Sequence, residues 1–174
     1  IAEDEHGNTE KMMMERKRAV KGKGENLGAR RMTGVGLVYG QAEYRTLYDA
    51  ASHGVLTDVT RHLQKGANVN AAGEGGRTPL MAAAQDGAFD VVQLLIEKGA
   101  DLNAKDEHGN TALMMLARQG ELTIFKLLVV KKADVNAKNN DGETALMMAI
   151  DDSNRPEYKA VIGYLVKNGA DVNA

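Results

Sequence analysis

The chain has 174 residues, 22 Lys+Arg against 24 Asp+Glu for a formal charge of −2, and neither Cys nor Trp. Lack of thiols excludes a disulfide framework, a cysteine zinc knuckle and a cysteine nucleophile. The apolar runs fall far short of the roughly 18 residues that a membrane-spanning helix needs, and the first residues hold no apolar core of the secretory-signal kind. The expectation is a soluble intracellular chain, cytoplasmic or organellar. Aromatics make up only 4% of it, so 9 Met, 19 Gly and many Ala have to be accounted for instead.

Taken from the N-terminus, the first feature is a charge run. Between Lys11 and Arg31, eight basic residues (Lys11, Arg16, Lys17, Arg18, Lys21, Lys23, Arg30, Arg31) stand against Glu15 and Glu25, a local net of +6. Residues 32–174 carry 14 basic against 18 acidic side chains, so near-neutrality is a sum of opposites. Gly22, Gly24, Gly28, Gly34, Gly36 and Gly40 cluster in a stretch with little apolar periodicity. These features predict residues 1–40 as an extended, flexible basic arm outside the main core, with the array spanning 41–174.

Inside the arm, Thr9 to Val20 reads as a short helix. Thr9 caps it, Glu10 lies in the first turn, and Arg16-Lys17-Arg18 come near its end, where cations suit the helix dipole. The arm suits docking on a larger partner, with ordering on binding. An anionic membrane surface and nucleic acid are the lesser readings, the second because Tyr39 and Tyr44 are the only nearby aromatics for stacking bases. The glycine patterns Gly34-Val35-Gly36 and Lys21-Gly22-Lys23-Gly24 fit neither spacing of a phosphate loop, and read as flexible backbone. Asp4 to Thr9 duplicates the six residues Asp106 to Thr111 at a separation of 102, out of phase with the period described next.

From Leu47 onward the sequence aligns with itself in rows of 33. Asn70, Asn103 and Asn136 share that spacing; so do Leu47, Leu80, Leu113 and Leu146, and Thr78, Thr111 and Thr144. Asn136 to Asn173 is 37, so four extra residues enter the last row, expected around Ser153-Asn154-Arg155-Pro156. Within a row, Thr78-Pro79 opens a helix, because threonine caps a first turn and proline's missing N–H has no partner there. Leu80 to Gln85 predicts a short Ala-rich helix ended by Gly87. Val91-Val92 and Leu94-Leu95-Ile96 give a second helix its apolar face, and Gly99 closes it. The polar run that follows, with Gly and Asn in turn positions, predicts a hairpin loop.

Gly-Arg-Thr-Pro-Leu-Met-Ala-Ala-Ala at 76–84 and Val-Val-Gln-Leu-Leu-Ile-Glu-Lys-Gly-Ala-Asp-Leu-Asn at 91–103 resemble the ankyrin repeat. The resemblance covers Leu47 to Ala174, with repeats at about 47–71, 72–104, 105–137 and 138–174. It implies an all-α solenoid of stacked helix-turn-helix units with β-hairpin loops. Leu47 to Ala71 reads as an N-terminal capping repeat, with polar Thr60, Arg61 and His62 where the next repeat has Gln93, Leu94 and Leu95. Three departures stand out. Met81, Met114 and Met147 replace the usual His, removing its side-chain hydrogen bonds; Ala112 and Ala145 replace the Pro; Lys132 stands where Gly66, Gly99 and Gly169 sit. The chain starts at Ile1 and stops at Ala174 inside a loop, which predicts a stretch of a longer protein or a partner over the open end.

The resemblance implies protein binding through the loop tips and the exposed side of the first helices. In this sequence those columns are Glu74, Arg77, Gln85 and Asp86; Glu107, His108, Asn110, Arg118 and Gln119; and Asn140, Asp141, Glu143, Asp151 and Asp152. They are polar, and acidic toward the last repeat, which favours a basic or polar partner over a hydrophobic peptide. Asp151→Lys with Asp152→Lys is then expected to weaken partner binding. No catalytic, cofactor or metal site is expected, nor a small-molecule substrate. His6, His53, His62 and His108 form no metal-type pair, and neither Ser52 nor Ser153 has a recognisable His–Asp setting. The expected function is a non-enzymatic interaction module. The alternative is an accessory subunit of a large, organellar or membrane-associated assembly, held by the arm.

Overall fold

A threonine at the head of each row starts a helix. The hydroxyls of Thr78, Thr111 and Thr144 accept the backbone N–H of Met81, Met114 and Met147 at 3.3, 3.4 and 3.3 Å, satisfying donors that a first turn leaves without partners. Thr46 does the same for Asp49 at 3.0 Å. In the computed structural model, which describes residues 44–150 and 156–173, the described residues form eight α-helices in two layers. The inner layer is α1 (Leu47–Ser52), α3 (Pro79–Gln85), α5 (Ala112–Gln119) and α7 (Ala145–Ile150). The outer layer is α2 (Leu56–Gln64), α4 (Phe89–Glu97), α6 (Leu122–Val130) and α8 (Pro156–Lys167).

Each inner helix packs on the next, α1 on α3 on α5 on α7, and each outer helix packs on its own partner. The inner stack is close because its core is thin: Ala83, Ala84, Ala112, Ala117, Ala145 and Ala149 are buried among Leu80, Leu113 and Leu146. That is where the alanine content goes. The large side chains sit between the layers, with Phe125 wholly buried and edge-on to Tyr164 at 6.4 Å. Val91, Val92 and Leu95 seal the same interface one repeat earlier.

Glycine closes the helices in the left-handed region. After α4, Gly99 N donates to Ile96 O and Ala100 N to Leu95 O, at 3.0 and 2.9 Å. Lys132 repeats this geometry without being glycine: its φ is +73°, and Lys132 N and Ala133 N bond Val129 O and Leu128 O, both at 3.0 Å. The four extra residues of the last row accompany a longer helix, since α8 begins at Pro156 and has 12 residues against 9 in α2, α4 and α6.

The structure departs from the sequence reading in three places. Among the described residues the loops form no β-strand; each has a turn bond (Arg77 N to Glu74 O, Gly109 N to Asp106 O, Gly142 N to Asn139 O) and a single cross-loop rung, Gly73 N to Arg77 O, Asp106 N to Asn110 O, and Asn139 N to Glu143 O. One rung is not a ladder, and the tips bond the neighbouring tip instead. In the methionine column Met81 keeps part of the role of histidine, because Thr78 N donates to Met81 Sδ at 3.4 Å, a weak bond to a soft acceptor. In the capping repeat, the polar column does more than face water. His62 Nε2 bonds Tyr44 O at 2.8 Å, and Arg61 pairs with Asp58 at 2.9 Å. Asp58 is fully buried in the column that holds Val91 and Ile124 elsewhere, and its second oxygen accepts Tyr44 N at 3.2 Å.

Candidate functional site

Loop tips of successive repeats are bonded into a rigid row. Glu107 N donates to Gly75 O and Asn140 N to His108 O, each at 3.0 Å, while Asn140 Nδ2 reaches Glu107 O at 3.0 Å. Asn139 Nδ2 adds a bond to Asn110 Oδ1 at 3.1 Å. Gly109 permits this approach: its φ is +77°, and a Cβ there would lie 2.7 Å from Asn140 N. Within a tip, Asp106 Oδ1 accepts the N–H of His108 and Asn110 at 2.9 and 2.8 Å. One repeat later Asn139 Oδ1 accepts from Asp141 and Glu143 at 3.0 and 2.8 Å. A single side-chain oxygen therefore shapes each tip from inside.

Below the tips, on the inner-helix side, lies a cleft of about 270 Å3. Arg77, Gln85, His108, Asn110, Arg118 and Gln119 line it together with Asp106, Met115 and Met148. Six residues from the expected binding columns thus converge on one place. Met115 and Met148 form its floor and are nearly buried, at 8% and 9% exposure. Glu74, Asp86, Glu107, Asn140, Asp141 and Glu143 are exposed and do not line it. Asp151 and Asp152 lie outside the described residues, as do Lys11, Arg16, Lys17, Arg18, Lys21, Lys23, Arg30 and Arg31 and the expected helix from Thr9.

Sequence reading missed Asp106, Asn139 and the two methionines. The signal for the first pair was present: they stand 33 apart, at the position that Gly73 takes one row earlier, and Tyr48 covers Gly73 where a side chain would otherwise go. A second, more apolar groove of about 370 Å3 runs between α2 and α4, lined by Thr60, Leu63, Gln64, Ala67, Val69, Leu94 and Lys98. Short Thr60 opens it where later rows carry Gln93 and Lys126.

The remaining chemistry-bearing residues have structural partners. Ser52 Oγ lies 3.1 Å from His53 Nδ1, but that nitrogen also sits 2.8 Å from Asp49 O. A carbonyl only accepts, so Nδ1 carries the proton and cannot act as a base toward Ser52. His53 also stacks on Tyr44 at 4.6 Å. Among the described residues, no three His, Asp or Glu side chains are grouped to hold a metal ion, and no helix is long and apolar enough to cross a membrane.

The family model for ankyrin repeats in three copies matches residues 47–139 and 103–174. The chain belongs to the ankyrin-repeat family. No curated protein shows significant similarity to it. Ankyrin repeats generally mediate protein–protein interaction and are generally non-enzymatic, and in this ankyrin array the inner helices and bonded tips frame the cleft.

Proposed function

We propose that the chain is a non-enzymatic interaction module that holds a protein partner in the cleft framed by Arg77, His108 and Arg118. The observation that supports this is the convergence of six variable-column residues on one cleft with a rigid, hydrogen-bonded rim. Preorganised loops bind at lower entropic cost than mobile ones. A photocrosslinking side chain introduced at Gln119, in the cleft, and separately at Gln93, exposed on the outer helix α4, tests it. The partner should be captured from position 119; capture from position 93 alone would defeat the reading.

The +6 stretch from Lys11 to Arg31 favours a second reading, an accessory subunit of a larger assembly held by its arm. Removing residues 1–40 separates the two. The interaction module keeps its partner without the arm, whereas the subunit loses its place in the assembly.

A further inference from the structure

Among the described residues, neither arginine of the cleft, Arg77 or Arg118, forms an ion pair with a carboxylate. Arg77 Nη1 donates to Gln85 Oε1 at 3.2 Å, a neutral acceptor. Among the described lining residues the one carboxylate, Asp106, is 7% exposed, and its Oδ1 is occupied by the two N–H groups of its own loop. Sequence columns alone pointed to a basic partner, but among the described residues Glu74, Asp86, Glu107, Asp141 and Glu143 of those columns do not line the cleft. What remains is a pair of guanidinium groups above a methionine floor. Guanidinium binds carboxylate through two parallel hydrogen bonds, and methionine accepts aliphatic side chains of varied shape.

We infer that the cleft takes an acidic segment of the partner, with a Glu or Asp carboxylate at Arg77 and Arg118 and a neighbouring aliphatic side chain on Met115 and Met148. This rests on the cleft being the binding face. Such a segment carries charge complementary to the lining and matches its apolar floor, which sets register as well as affinity.

A random peptide library selected on the immobilised full chain tests the inference. The enriched peptides should carry Asp or Glu beside Leu, Ile or Met, and changing that acid to its amide should weaken binding about tenfold or more. Arg77→Gln with Arg118→Gln should abolish the discrimination between acid and amide while leaving the circular dichroism spectrum and urea midpoint unchanged, since Arg77 is half-buried and Arg118 exposed. Enrichment of Lys- or Arg-bearing peptides would overturn the inference, and so would acidic peptides whose binding ignores both arginines. Binding of a uridine oligonucleotide that depends on both arginines, without any acidic selection, would overturn it in favour of a nucleic acid. Competition of the selected peptides with crosslinking from position 93 but not 119 would show instead that the cleft reading itself fails.

Discussion

The hydroxyl of Tyr158 donates to the carbonyl oxygen of Arg118 at 2.9 Å, joining residues forty apart in sequence. Arg118 lies in the last turn of α5, where carbonyls lack helical partners, and Tyr158 is nearly buried in α8. The final repeat thus holds the end of the helix that carries a cleft guanidinium. Tyr158→Phe removes the donor and leaves the ring, so stability should fall by about 1 kcal/mol, read from the urea unfolding midpoint. An unchanged midpoint would mean that water serves Arg118 O equally well.

Asp106 supports the cleft from within its rim. With one oxygen accepting two backbone N–H groups, Asp106→Ala should cost about 1–3 kcal/mol and speed amide exchange at His108 and Asn110. Asp106→Asn should cost less, because Asn139 makes the same two bonds one repeat on. Equal losses from both substitutions would show that charge, not the acceptor geometry, holds the tip.

The repeat frame was legible in sequence because it rests on local chemistry repeated in register: a threonine that caps, a glycine that takes positive φ, and leucines that return every 33 residues. That Arg77, Gln85, His108, Asn110, Arg118 and Gln119 share one face was legible for the same reason, since column and face are linked by helical geometry. Asp58 was not legible. It occupies a core column, and only the structure shows Arg61 and the Tyr44 N–H placed to receive its carboxylate. The charge of the cleft was hidden too. Summing column residues counts Asp141 and Glu143 equally with Arg77 and Arg118, whereas the fold leaves Asp141 and Glu143 exposed outside the cleft and sets the two arginines in its wall.

Lys132 carries a cost that its neighbours avoid. Its φ of +73° crowds a Cβ against the backbone, while Gly66, Gly99 and Gly169 meet the same cap with no side chain. Both cap hydrogen bonds are backbone bonds and survive substitution. Lys132→Gly should raise stability by about 1 kcal/mol, offset in part by the greater freedom of glycine in the unfolded chain. Thermal melting checks it, and a lowered melting temperature would mean that the Lys132 side chain stabilises the cap.

Among the described residues Phe125 is the largest wholly buried side chain, and α6 packs on α5 of its own repeat and on α8 of the next. Phe125→Ala removes the ring that meets Tyr164 and leaves a cavity between the layers, a change that costs about 3–5 kcal/mol in well-packed cores. A repeat array is held by nearest-neighbour interfaces, so weakening its third repeat uncouples what lies on either side. Urea unfolding of the variant should then proceed in two steps, with α7 and α8 melting before α1 to α4. Hydrogen exchange resolved by segment distinguishes the outcomes: early loss confined to residues 105–173 supports this coupling, and uniform loss across all repeats contradicts it.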